Sequence, residues 1–352
     1  MEVHQFNVKS LEQICFDSRY LMSVTVLKGY IYAMGGYRDD DIISHRTAER
    51  YQPDINQWTF IASMNEERIS ASCTTLNNKI YICGGWNNYR VLNTAEYYNP
   101  DTNQWTLITP MGTPRYDLGV VAYMGHIFAV GGSDGFRYLR SAEAYDPSHL
   151  LVSDTLKVMS QPSLLCSESG INNTLFCRRL PNAILMMVRI FSKTIEAFDY
   201  RTNSWITVQT NPSLEDSMTH LDLYSIVFLG RCFYIVGSGL RMTDPSNRVW
   251  RFNLDTHTWQ EMSPMQESQN FVSVTVLKGY IYAMGGFRDD GTSLRTAERY
   301  QPNINQWTFI ASMNEERIYA SCTTLNNKIY ICGGCSLCVS IKVFKDIRRT
   351  NV

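Results

Sequence analysis

The sequence is first informative for what it lacks. Its 352 residues hold 32 Lys plus Arg against 33 Asp plus Glu, a formal charge of -1. No surplus of one sign exists to draw the chain to nucleic acid or an anionic membrane surface. No apolar run approaches the ~18 residues that a membrane-spanning helix requires, and the most apolar stretch, Ala183 to Phe191, is interrupted by Arg189. The opening residues, MEVHQFNVKSLEQICF, alternate polar and apolar side chains and offer no basic start followed by an apolar segment, so no secretory leader is expected. Six histidines are scattered without a His-Glu-x-x-His pair, and no glycine-rich stretch ends in Gly-Lys-Ser, which removes the usual zinc-protease and nucleotide-loop signatures. Helical periodicity is missing throughout. The ten cysteines include Cys73, Cys83, Cys322 and Cys332 within strand-like apolar runs, where a reduced thiol serves as a small hydrophobe. This usage points to a reducing, cytoplasmic setting, in which the sequon at Asn172 to Thr174 has no glycosylating role.

What is present is repetition. The segment beginning at Ser23 nearly recurs from Ser273, and within both lies a shorter period marked by paired glycines. The pairs stand at Gly35-Gly36, Gly84-Gly85, Gly131-Gly132, Gly285-Gly286 and Gly333-Gly334, with Gly237-Ser238 as a variant. From the first pair onward the intervals are 49, 47, 106, 48 and 48, so the long interval holds two periods and one pair is missing. Trp58, Trp105, Trp205, Trp259 and Trp307 repeat the pattern, with intervals of 47, 100, 54 and 48, and Val152 fills the vacant place.

Runs such as CTTL, KIYICGG, TAEYYN and QWTLI are rich in Thr, Tyr, Ile and Trp and are bounded by Asn, Gly, Pro and Asp, so each unit reads as four short strands. About 50 residues holding four strands is the period of a propeller blade. The expected fold is an all-β propeller of seven four-stranded repeats, with a six-bladed ring as the alternative and one degenerate blade. The repeats fall at about 19–67, 68–114, 115–160, 161–212, 213–268, 269–316 and 317–352, and residues 5–14 are expected to close the last blade with its outer strand. Closure of this kind hides an exposed strand edge.

The pattern of an apolar residue, Tyr-x-x-Gly-Gly, then Glu-x-Tyr, then Trp seven residues beyond that Tyr and Met six beyond the Trp, resembles the kelch repeat. It holds at Tyr51, Trp58 and Met64, at Tyr98, Trp105 and Met111, and at Tyr300, Trp307 and Met313. Words such as SVTVLKGYIYAMGG and LNTAEYYNPDTNQWTLI resemble the propellers of the kelch-like (BTB-kelch) family. That resemblance implies an adaptor whose propeller presents protein substrates for ubiquitination, with BTB and BACK domains that recruit cullin-3, and a setting in spermatogenesis. The propeller-like sequence here starts within the first 25 residues, so the resemblance implies the substrate-binding half, with cullin-3 reached only indirectly or through a BTB partner.

Function is expected in the loops that follow the glycine pairs, because these vary while the scaffold repeats. They carry Tyr37 and Arg38; Trp86, Tyr89 and Arg90; Phe136 and Arg137; Phe287 and Arg288. Aromatic and guanidinium groups together give large contact area and paired hydrogen bonds to carboxylates, which suits a protein or peptide partner. The aromatics admit a second reading, packing against the neighbouring blade. Arg115 is included as a partner-binding candidate at the mouth, although Arg19, Arg68, Arg115 and Arg317 recur at one repeat position and so also read as scaffold. Glu49, Glu96, Glu143, Glu196 and Glu298 read as hydrogen-bonded scaffold carboxylates. The trio Cys332, Cys335 and Cys338 lacks a second ligand pair and reads as free thiols. No cofactor, metal or catalytic residue is expected. A cytoskeletal, actin-associated scaffold is the second function class, and an enzyme such as a copper oxidase the third.

Overall fold

The computed structural model describes residues 11–13, 19–38, 43–139, 141–148, 183–189, 194–199, 204–208, 225–237, 246–288 and 290–335. Every regular element among them is a β-strand, as the alternating Thr, Tyr and Ile runs require. Blade 1 is Ser23–Leu27, Tyr30–Met34, Ala48–Gln52 and Gln57–Phe60, each antiparallel to the next. Blade 2 repeats this with Ser72–Leu76, Lys79–Cys83, Ala95–Asn99 and Gln104–Ile108. Blade 3 has Gly119–Tyr123, His126–Val130 and Ala142–Tyr145. Blade 4 is Ser225–Leu229, Cys232–Val236, Val249–Asn253 and Thr258–Met262, and blade 5 is Ser273–Leu277, Tyr280–Met284, Ala297–Gln301 and Gln306–Phe309.

The all-β propeller is as expected, but the blade count is corrected. The ring is built from five blades, not from seven or six four-stranded units. Two units fail to make one for identifiable reasons. The unit at 161–212 has no glycine pair, and its described strands form a separate three-stranded sheet, Ala183–Arg189, Thr194–Asp199 and Ser204–Val208. In the unit from Arg317 the described residues form the hairpin Ser321–Leu325 and Lys328–Cys332, and the sequence after Gly334 carries no Thr-Ala-Glu-x-Tyr run to continue it. This hairpin is wedged between blades 5 and 1. Leu11–Gln13 lies beside Lys328–Cys332 and runs parallel to it, with Leu11 opposite Ile329 and Gln13 opposite Ile331. The short strand therefore occupies the third place of that sheet; the rest of the 5–14 segment lies outside the described residues.

Adjacent blades are joined by a repeated seam. The hydroxyl of the serine opening an inner strand donates to a carbonyl of the next blade: Ser23 to Ala71 (2.8 Å), Ser225 to Val272 (2.7 Å), Ser273 to Ala320 (2.7 Å) and Ser321 to Met22 (3.0 Å). The glycine pairs complete it. Gly85 N donates to Arg115 O (2.7 Å), while Gly84 sits at φ +64° where a Cβ would lie 2.2 Å from that oxygen. A side chain is thus excluded twice, by the left-handed backbone and by the neighbouring main chain.

The spacing of Tyr, Asn and Trp has a common cause. Tyr51, Tyr98 and Tyr300 donate to the Asn five residues on, Asn56, Asn103 and Asn305 (2.8, 2.9 and 2.8 Å), each of which turns the chain with φ just above +50°. Asparagine tolerates that region. The turn brings Trp58, Trp105 and Trp307 against the tyrosine rings at 5.3, 5.2 and 5.1 Å between centroids. Trp105 and Trp307 then reach the preceding blade, donating to Ala62 O (2.7 Å) and Ser263 O (3.0 Å). Met64, Met111 and Met313 fill the spaces between blades and are buried.

Recurrent arginines anchor the inner ends. Arg68 is fully buried; Nη1 donates to Gly84 O (2.7 Å) and Thr94 O (2.9 Å), Nη2 to Thr94 Oγ1 (3.1 Å), and Nε and Nη2 to Glu96 Oε1 (3.1 Å each). Arg115 repeats this with Gly131 O, Ser141 and Glu143, and Arg19 with Gly35 O, Thr47 and Glu49. In blade 5, Gln269 stands at the arginine position, and Glu298 holds only the amides of Gln266 (2.7 Å) and Glu267 (3.0 Å). Burial pushes its carboxyl upward in pKa against those two donors.

Candidate interaction surface on the loop face

The loops after the glycine pairs of blades 2 and 3 share one construction. Asn87 Oδ1 accepts from the amides of Tyr89 (3.4 Å) and Arg90 (3.1 Å), and Asp134 Oδ1 accepts from those of Phe136 (2.9 Å) and Arg137 (2.9 Å). Each is a turn closed by its own first side chain, which folds the backbone back and turns the next two residues toward solvent. Tyr89 is 89% exposed and Phe136 95%, with Tyr138 beside it at 65%. The Arg90 and Arg137 side chains are also open, resting weakly on Glu66 (3.6 Å) and Asp134 (3.4 Å). Burial pushes the Asp134 carboxyl upward, but the Arg137 and Phe136 amides and the Arg137 guanidinium outweigh it, and its pKa lies below the ordinary value.

The two loops abut. A Cβ on Gly135 would stand 3.3 Å from Val91 Cγ2. Blade 1 is tied to the same surface where Tyr37 Oη donates to Asn88 Oδ1 (2.7 Å). Three aromatics and two arginines are thereby gathered on adjoining loops.

The other predicted residues are placed differently. Tyr37 is buried, stacked on Tyr20 at 5.7 Å, and Phe287 is buried in the same apolar cluster as Tyr20, Ile69 and Ile318. Trp86 is half-buried against that cluster, its main chain paired with Ile69. An aromatic directly after a glycine pair, as at Tyr37, Trp86 and Phe287, therefore packs inward, whereas Tyr89 and Phe136, each four residues beyond Gly85 and Gly132, face solvent. Arg38 is half-buried in a two-residue ladder opposite Arg19. Arg288 is ion-paired with Glu267. Arg115 is fully buried with its guanidinium directed into blade 3, which closes it to any partner.

An inner ring escaped the sequence reading. Leu21, Ser70, Asp117, Phe271 and Tyr319, each two residues beyond the recurrent arginine position, all have positive φ of 49–56°. Ser70 N donates to Leu21 O (3.1 Å) and Asp117 N to Ser70 O (2.9 Å), while the Phe271 and Tyr319 rings meet at a tilt of 46° with centroids 4.3 Å apart. Burial raises the Asp117 carboxyl from 3.8 to about 6, against a hydrogen bond from Ser70. Their side chains differ in every unit, so the one signal in the sequence that marks these positions is the repeat register, two residues beyond the recurrent arginine.

Among the described residues no three His, Cys, Asp or Glu side chains group as metal ligands. Cys332 and Cys335 are buried and not joined in a disulfide, and Cys338 lies outside the described residues. No helix among the described residues is long and apolar enough to cross a membrane.

Blades with an inner glycine turn, a Glu-x-Tyr strand and a tryptophan strand define a propeller of the repeat class. The Kelch motif matches residues 18–65, 67–112, 114–150, 223–266 and 270–314, more than half of the chain, and the chain belongs to that family. These five matches coincide with the five blades. Kelch-repeat propellers bind proteins and are generally not themselves enzymes. The chain is 34% identical over 95 residues to Kelch-like protein 21 of Danio rerio, a stretch covering 26% of this chain and 14% of that one. To Kelch-like protein 23 of Homo sapiens it is 25% identical over 113 residues, 32% of this chain and 18% of that one. Spermatocyte protein spe-26 of Caenorhabditis elegans is 34% identical over 74 residues, 20% of this chain and 13% of that one. The matched stretches thus span less than a fifth of these relatives. The solved structure of YjhT superposes with a TM-score of 0.56 over 91% of both chains at 13% identity, a likeness of fold.

Proposed function

We propose that this propeller is a protein-recognition module and that the loops of blades 2 and 3 hold its partner. The observation behind this is the exposure of Tyr89 and Phe136 on loops whose backbones are fixed by their own Asn87 and Asp134. A large ring on a rigid turn loses little conformational freedom on binding, which favours such residues as anchors. Arg90 and Arg137 beside them supply guanidinium groups for carboxylates of the bound segment. Arg38 and Arg288 stand on the corresponding loops of blades 1 and 5, and Tyr37, Trp86 and Phe287 pack in one inner apolar cluster.

Within this reading the chain is the substrate-recognition part of a cullin-3-type ubiquitin-ligase adaptor, acting in the cytoplasm and engaging cullin-3 through a BTB partner. The kelch-like relatives and the likeness of its repeat words to kelch-like protein 10 support that assignment, and the relative named Spermatocyte protein spe-26 supports a role in spermatogenesis. A cytoskeletal scaffold is the second class. Affinity capture compared between the unaltered chain and Tyr89→Ala with Phe136→Ala tests all of this. Loop-dependent enrichment of a BTB protein and cullin-3 supports the adaptor; loop-dependent enrichment of actin alone replaces it with the scaffold. Capture unchanged by the double substitution removes the loop assignment.

A further inference from the structure

The hairpin wedged between blades 5 and 1 has an exact twin in sequence. Ser312–Ile318 matches Ser63–Ile69 residue for residue, and Ala320–Gly334 matches Ala71–Gly85. In the twin, these residues hold a third strand. Ala95–Asn99 lies antiparallel to Lys79–Cys83, with Glu96 opposite Ile82, and the Glu96 carboxylate is gripped by Asn65 N (2.8 Å), Asn65 Nδ2 (2.8 Å), Glu66 N (3.5 Å) and Arg68 (3.1 Å).

The same donors recur around Lys328–Cys332 without the carboxylate they serve. Arg317 is 4% exposed, and its Nε is buried with no hydrogen-bond partner. Its Nη1 keeps the Gly333 carbonyl, as Arg68 keeps that of Gly84. The carboxylate at Nη2 is that of Glu315, 3.0 Å away and only two residues earlier, on a side chain 65% exposed. In the twin loop the matching Glu66 turns outward toward Arg90. Glu315 is a local stand-in for the missing glutamate.

The strand beside the hairpin is not the missing one. An outer strand runs parallel to the second strand of its blade, since both are antiparallel to the third. Leu11–Gln13 runs parallel to Lys328–Cys332 and lies six to eight residues before Arg19, as Leu107–Thr109 lies before Arg115. It has the polarity and spacing of an outer strand, and among the described residues no strand stands between it and Lys328–Cys332. Every Thr/Ser-x-Glu third strand elsewhere in the described structure serves its own sheet.

We propose that this sheet is a strand-addition site for a second polypeptide. Its ligand is an extended segment of the type Thr-Ala-Glu-x-Tyr, which adds antiparallel to Lys328–Cys332 and displaces Leu11–Gln13 outward by one strand spacing, about 4.8 Å. The segment's glutamate replaces Glu315 on Arg317 and takes the amides of Asn314 and Glu315. Main-chain ladder bonds supply affinity, and the buried guanidinium selects for the carboxylate.

A labelled peptide with the sequence of residues 92–99, Leu-Asn-Thr-Ala-Glu-Tyr-Tyr-Asn, titrated into the full chain tests this by fluorescence anisotropy. Saturable binding is expected, weakened about tenfold or more when the peptide glutamate becomes glutamine or when Arg317→Ala is introduced, the effect of losing a charged hydrogen bond. Glu315→Gln, a change at an exposed side chain, is expected to tighten binding severalfold by removing the stand-in. Should Arg317→Ala not fold, the peptide substitution and Glu315→Gln decide. No saturable binding, equal binding by the glutamine peptide, or no gain from Glu315→Gln overturns the proposal.

Discussion

Asp117→Asn is expected to stabilise the protein at neutral pH and to lose that advantage in acid. In the fold the Asp117 carboxyl sits on the inner ring with its main chain at φ +50°, hydrogen-bonded to Ser70, and its pKa is raised by burial from 3.8 to about 6. A carboxyl with a higher pKa folded than unfolded binds its proton more tightly in the native state. Stability is therefore greatest below about pH 4, declines as pH rises toward 6, and is flat above. The separation of about two pH units corresponds to ~3 kcal/mol at 1.36 kcal/mol per unit. Part of the residue meets solvent, which reduces the expectation to about 2 kcal/mol. Asparagine keeps the shape, carries no charge to desolvate and accepts the left-handed backbone. Urea unfolding midpoints of the two proteins, measured from pH 4 to pH 7.5, supply the comparison. Other carboxyls titrate over the same range, but they cancel in the difference between the proteins. Equal midpoints at pH 7, or a difference that persists undiminished at pH 4, would refute an uncompensated buried charge at this position.

Gly84→Ala is expected to destabilise by about 3 kcal/mol or more, combining a positive-φ penalty with a clash, because its Cβ would fall 2.2 Å from Arg115 O; chemical denaturation measures the loss. Arg68→Ala should cost ~3–5 kcal/mol in the same assay, since it leaves the Glu96 carboxylate buried without its guanidinium. Gln269→Arg restores that cation to blade 5, so stability should rise by about 1–3 kcal/mol at pH 7. The gain should vanish below the ordinary glutamate range, where Glu298 is protonated with or without a partner. Tyr89→Ala and Phe136→Ala should shift stability by less than about 0.5 kcal/mol while weakening partner capture, as befits exposed side chains.

Much of the scaffold was legible because each of its contacts recurs at a fixed separation. The Arg-to-glycine interval of 16 residues is the guanidinium-to-carbonyl bond, and the Tyr-to-Asn interval of five is the hydroxyl bond across the outer turn. The blade count was less accessible. Spacing counts units of sequence, whereas a blade also needs a third strand to pair, and among the described residues the hairpin before Gly333 has none of its own. Loop aromatics divide by a criterion that composition does not carry. Phe287 directly follows a glycine pair and is drawn into the inner cluster, whereas Phe136 follows an aspartate-closed turn and is pushed out. Arg115 is ambiguous in sequence because a guanidinium suits a mouth and an interior equally; only its bonds to Gly131, Ser141 and Glu143 decide.

The duplication of the hairpin also shapes how the molecule reaches its native state. Two chemically identical docking edges compete for Ala95–Asn99 during refolding, one nearby in the chain and one more than 200 residues away. Closing the shorter loop is entropically cheaper, but the preference grows only with the logarithm of length, so a denatured chain diluted into buffer samples both pairings. Synthesis from the amino end resolves the competition, because Lys79–Cys83 captures its strand before the distant copy has been made. Refolding in vitro should accordingly show a slow fraction, arising from wrongly joined chains, that vectorial synthesis avoids.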